Sequence, residues 1–168
     1  MKKFNLITLT RVAALIALEI ILNRFLSYNE PNLKIGISFV PIALCGIMFG
    51  PYWAGAAAGI ADVLGTFLSP FGGIYPPITL TAILTGISFG LFLHKKNVKF
   101  FPNIFLCTLV NVVGLSLFLQ TYWLSLLRHI PYFTMMGMRT LQCVILFVLY
   151  LILLPLLLKL APKLERIR

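Results

Sequence analysis

Charge is what this chain has least of. Only 11% of its 168 residues are charged and only four are acidic, whereas soluble domains carry about a quarter charged residues. That scarcity, with 60% hydrophobic residues and a mean hydropathy of +1.00, excludes a water-soluble fold. Cysteine is also scarce. Cys45, Cys107 and Cys143 are odd in number, far apart and each inside an apolar stretch, so they suggest neither a disulfide framework nor a metal site and read as small packing residues. The two histidines, His94 and His129, belong to no metal-ligand motif. No glycine-rich phosphate loop ending in Lys-Ser or Lys-Thr is present, so the chain is not by itself an ATPase of that type. No serine or cysteine has a base near it in sequence. Nothing argues for an enzyme, a metal or a bound cofactor.

What is present is long apolar runs. A membrane span takes about 20 residues, so 168 residues allow about six crossings and no separate soluble domain. The expectation is an all-α integral membrane protein, a single domain over residues 1–168 with six transmembrane helices. The first runs from about Leu6 to Leu26, too long for a signal-peptide core and with no cleavage site after it. SYNEPNLK, residues 27–34, breaks it with polar residues and a proline. Two shorter stretches follow, Ile35 to Phe49 and Trp53 to Leu68, each covering about 22 to 24 Å of a roughly 30 Å hydrocarbon core, as short spans or as a re-entrant pair. The loop SPFGGIYPP leads to a fourth helix, about Ile78 to Leu93. A fifth spans about Pro102 to Leu127 and a sixth about Phe133 to Leu160.

Lysine and arginine orient this bundle, because cytoplasmic loops carry their excess. With the N-terminus inside, Lys2, Lys3, Arg11, Lys95, Lys96, Lys99, Lys159, Lys163, Arg166 and Arg168 fall at inner ends, and Arg24, Lys34, Arg128 and Arg139 on the outer side. Both termini are therefore expected to be cytoplasmic. The net charge of +10 follows from this asymmetry and from anionic lipid, and calls for no nucleic acid.

Ionisable groups inside spans are costly and default to functional hypotheses. Glu19, Arg24, Asp62 and Arg139 are the four to explain. The last three point to one depth near the outer face, where Phe71, Tyr75, Thr79, Gln120, Tyr122 and Trp123 supply the aromatic and polar flanks of a ligand pocket. The competing reading is an Arg–Asp pair that only holds the bundle together. Glu19, five residues from Arg24, is left open between pairing and lining a cavity. Small residues form a second pattern: Ala13 and Ala17 on the first helix, and Gly55 and Gly59 on the third, are each four apart, a spacing that lets helices approach closely in lipid. Either pair serves internal packing, with an exposed docking face for a partner as the alternative for the pair on the first helix.

The run from Lys34 to Gly86, above all FGPYWAGAAAGIADVLG and SPFGGIYPP, resembles the substrate-binding S component of energy-coupling factor vitamin transporters, nearest to the folate-specific type. The Ala13 and Ala17 pair matches that family's alanine motif. The resemblance implies a binding protein that works with a transmembrane coupling subunit, EcfT, and two ATPase subunits, EcfA and EcfA', which use the ATP. It makes Ala13 and Ala17 the docking face. For a folate ligand, Asp62 becomes the candidate for the pterin edge, Arg24, Lys34 and Arg139 the candidates for the glutamate carboxylates, and Phe71 and Tyr75 the candidates for stacking and closure. Another vitamin of the same transporter class, and a small membrane enzyme or scaffold, are the alternatives.

Overall fold

The computed structural model describes residues 6–23, 28–30, 33–68, 75–94 and 100–165. Among them the chain forms α1 (Leu6–Ile21), a hairpin of β1 (Tyr28–Glu30) and β2 (Leu33–Ile35), α2 (Phe39–Phe49), α3 (Pro51–Phe67), α4 (Pro76–Leu93), α5 (Pro102–Arg128) and α6 (Tyr132–Glu165). Within α5, Val110–Gln120 is wound with the wider i→i+5 hydrogen bonds, a form that recurs at functional sites.

Several boundaries differ from the sequence expectation, each for a local reason. α3 and α4 start earlier, at Pro51 and at Pro76-Pro77. Proline is favoured at the first helical positions because the N–H it lacks has no partner there. The polar segment after α1, expected as a loop, instead pairs as an antiparallel hairpin with Tyr28 opposite Ile35, Asn29 opposite Lys34 and Glu30 opposite Leu33. Tyr28 and Ile35 are both strand-favouring residue types. The pairing also takes Ile35 out of the second apolar stretch, so α2 is only 11 residues long. Residues 24–27, the end of the expected first span, lie outside the described residues.

Helix packing rests on close backbone approach. α2 turns into α3 at Gly50, whose φ of 90° is open to glycine and costly for other residues. The His94 ring covers this corner, with Nδ1 2.9 Å from the Ile47 carbonyl. α4 lies against α3 through Gly86 and Gly90: a Cβ there would run into the Ala54 carbonyl and the Pro51 backbone respectively. Gly55 and Gly59 face Ile87 and Ile83 of α4, so this pair serves internal packing. Gly90→Ala is expected to destabilise the bundle by about 1–3 kcal/mol or more, because rigid backbone must move apart. Gly65→Ala, where a Cβ meets nothing within 4 Å, is expected to be neutral or stabilising. Thermal unfolding in detergent separates the two.

The core contains all three cysteines, buried and unbridged, and an aromatic stack in which Phe39 of α2 lies 4.0 Å from Tyr150 of α6 while Phe89 of α4 lies 5.7 Å from Tyr150. By length and composition α4, α5 and residues Tyr132–Ala161 of α6 are each able to cross a membrane. The long exposed apolar side chains on their outer faces, among them Leu84, Leu109, Val148 and Ile152, are what lipid contact requires.

Candidate functional site

Five helices contribute to one cavity of about 140 Å³. Glu19 and Asn23 come from the end of α1, Ser38 and Phe39 from the start of α2, Asp62 from the last turns of α3, Ile78, Thr81 and Thr85 from α4, and Gln120 from α5. The Phe39 and Phe89 rings supply apolar wall beside this polar set, the mix of apolar surface and placed polar groups that a small-molecule site needs.

Asp62 is held by its neighbour. The Thr79 hydroxyl donates to Asp62 Oδ2 at 2.8 Å, and the Thr66 hydroxyl donates to the Asp62 backbone carbonyl at 2.7 Å. Thr79 thus orients the carboxylate and leaves Oδ1 without a hydrogen bond from the described residues. Glu19, left open by the sequence, lines the same cavity, is only 9% exposed, and accepts from Asn23 Nδ2 at 3.4 Å. Two carboxylates therefore reach one small space.

Arg139 does not pair with Asp62. The residue is 2% exposed, and its guanidinium donates from Nη1 to Thr121 Oγ1 and from Nη2 to Gln120 Oε1, both at 3.3 Å, while Nε is buried without a partner among the described residues. It stands behind the cavity wall and does not line the cavity. Two charge-assisted bonds, each of about 1.5–3 kcal/mol, offset its cost at membrane depth, about 2.5–3.5 kcal/mol on insertion scales.

The remaining expectations divide. Tyr75 is half-buried at the N-cap of α4 and is not in the cavity lining. Tyr122 is 49% exposed and packs edge-on against Trp123 at 5.1 Å and near Tyr132 at 6.5 Å, an arrangement typical of interfacial aromatic belts. Tyr122 likewise lies outside the lining. Lys34 is placed only by its strand pairing with Asn29, and Arg24 and Phe71 lie outside the described residues. Sequence reasoning missed Asn23, Ser38, Phe39, Thr81, Thr85 and Phe89. Thr81 and Thr85 had a signal, four-residue spacing on one helix face. The aromatic walls had none.

A second, larger groove of about 440 Å³ lies on the other side of α3 and α4, lined by Gly55, Ala56, Gly59, Ile60, Val63 and their neighbours. Its one polar lining residue, Thr79, already donates to Asp62. With nothing to orient a polar ligand, it is not the site.

α1 turns Val12 and Glu19 inward, with Leu15 and Ile16 packed on the core. Ala13 and Ala17 are exposed on its opposite side. The pair therefore does not pack within the bundle, unlike Gly55 and Gly59.

The family model described as "ECF transporter, substrate-specific component" matches residues 8–158. The chain belongs to this family. This S component is 37% identical over 127 residues to a folate transporter FolT of Clostridium novyi, covering 76% of this chain and 72% of the relative. It is 26% identical over 120 residues to a folate transporter FolT of Leuconostoc mesenteroides, covering 70% and 63%. A crystal structure of FolT bound with folic acid superposes with a TM-score of 0.84 at 35% identity over 91% of this chain and 95% of that one. An S component for biotin shares the fold alone, with a TM-score of 0.69 at 18% identity over 99% and 94% of the chains. The S component is thus a multi-pass membrane protein and a substrate-binding part of a transporter, which sets aside the reading of a small membrane enzyme.

Proposed function

We propose that this S component binds folate in the cavity between Asp62, Glu19 and Gln120 and passes it inward with an energising module of EcfT, EcfA and EcfA'. In this reading residues 1–168 form one domain of six crossings. The lysine and arginine asymmetry supports cytoplasmic termini, which puts the cavity at the outer face.

The convergence of the two carboxylates Asp62 and Glu19 and the Gln120 amide on one cavity that the Phe39 and Phe89 rings also line carries the proposal. A pterin is flat and presents an aminopyrimidine edge rich in hydrogen-bond donors. Asp62, steadied by Thr79, accepts that edge through charge-assisted bonds, which are stronger than neutral ones. The cavity of about 140 Å³ is below the roughly 300–1,000 Å³ of sites for drug-sized ligands, so it takes the pterin while the benzoyl and glutamate parts extend from its mouth. Arg24 and Lys34 are the proposed partners of the glutamate carboxylates, and Phe71 and Tyr75 close over the rings. The names of the relatives at 37% and 35% identity support folate as the ligand.

The chain purified alone in detergent is expected to show saturable quenching of Trp53 and Trp123 fluorescence by folate. No saturable response at micromolar folate sinks the proposal. The two acids in the cavity also favour a second reading, a different donor-rich vitamin heterocycle, and competition across a vitamin panel separates it from folate.

A further inference from the structure

We propose that Arg139 is a positioning residue for specificity: it fixes the Gln120 carboxamide so that the amide NH2 faces the cavity, and the site thereby selects a ring carrying a hydrogen-bond acceptor at that point. The inference rests on the folate reading and deepens it. For a pterin, the selected group is the 4-oxo oxygen in preference to a 4-amino group.

A carboxamide is nearly isosteric about its end, so its two orientations differ only in which polarity points where. Here the neighbour decides. A guanidinium has five donors and no acceptor, and Arg139 Nη2 lies 3.3 Å from Gln120 Oε1. Turning the amide over would set NH2 against the guanidinium and leave buried donors on both sides unpaired, which disfavours the flip at least about tenfold. The arginine itself cannot swing away, being 2% exposed and tied by Nη1 to Thr121 Oγ1. Gln120 also lines the cavity, and among the described residues no acceptor takes its NH2 hydrogens. The amide is left with two donors for whatever enters.

Across the same space stand two carboxylates, while the Thr81 and Thr85 hydroxyls beside them donate to backbone carbonyls of their own helix and the Asn23 amide donates to Glu19. Asp62 has Oδ1 beside the Oδ2 that Thr79 occupies, and Glu19 lines the wall. The cavity offers a carboxylate pair of acceptors and then a donor. The 2-amino, N3–H and 4-oxo edge of a pterin is the complement: donor, donor, acceptor. In a 4-amino pteridine N3 loses its hydrogen and the 4-position becomes a donor, so the new NH2 meets the NH2 of Gln120.

The test compares folic acid with its 4-amino-4-deoxy analogue by fluorescence titration of the full chain in detergent. Wild type is expected to prefer folic acid by about tenfold or more, the scale on which a site built around a hydrogen bond rejects a mismatched group. Gln120→Glu keeps the bond from Arg139 and replaces the donor by an acceptor, so the preference should collapse or invert. Arg139→Met keeps an unbranched stem without donors, frees the amide to turn, and should bring the ratio toward one chiefly by raising affinity for the 4-amino compound, with little change for folic acid. A purely structural role for Arg139 would weaken both ligands by the same factor. That result, an unchanged ratio in the variants, or a wild type that binds both compounds equally, overturns the inference, and either variant decides it if the other fails to fold. A wild type that binds neither compound instead removes the folate reading, and this inference with it.

Discussion

Asp62→Asn is expected to weaken folate binding by roughly ten- to a hundredfold, corresponding to the loss of about 1.5–3 kcal/mol from hydrogen bonds to a charged acceptor. Asparagine keeps the size of the side chain and still accepts the Thr79 hydroxyl, which now donates to Oδ2 at 2.8 Å. The fold is therefore retained while the charge and one acceptor are lost. Thr79→Val tests the same point from the other side: the carboxylate stays but loses its orienting donor, so affinity should fall by about tenfold or less. Titration of tryptophan fluorescence measures both. An Asp62→Asn protein that binds folate like wild type would mean that the Asp62–Thr79 bond only ties α3 to α4.

The largest separation of two functions is expected on α1. Replacing Ala13 and Ala17 together by tryptophan should reduce folate uptake to background in cells that also make the coupling and ATPase subunits, while the purified chain binds folate as before. The reasoning is steric. Both alanines are exposed in the chain, so the added bulk does not enter its own core, but small residues are what permit close helix approach in lipid. A docked partner would be held off by two indole rings. If binding and thermal stability fall together with uptake, the pair belongs to the bundle's own packing and the docking proposal is wrong.

The two small-residue pairs show where sequence stops. Ala13 with Ala17 and Gly55 with Gly59 share one spacing, and spacing says only that both members lie on one face of a helix. Which way that face turns depends on the neighbours. Ile83 and Ile87 of α4 cover the glycines, whereas among the described residues the alanines stand exposed. Arg139 makes the same point for charge. Its cost in a membrane marks it as a residue to explain, but the Arg–Asp pair and the ligand contact that composition allows are both replaced in the structure by Gln120 and Thr121, 19 and 18 positions earlier. The wider winding of α5 ends at Gln120, with Thr121 the next residue, and no local pattern foretells it.

The amino-acid sequence by itself determined the membrane class, the approximate helices, the inside-positive asymmetry and the suspicion attached to Asp62 and Glu19, because hydropathy, charge and 1.5 Å of rise per residue act locally along the chain. Only the tertiary structure decided that Glu19 and Asp62 open on one cavity, that Phe39 and Phe89 wall it, that the segment after α1 forms a hairpin, and that Tyr122 stands outside it. The cavity depends on contacts between residues far apart in the chain, which form where Gly86 and Gly90 let α4 close on α3, while the hairpin depends on a backbone pairing that the polar, proline-containing sequence does not announce.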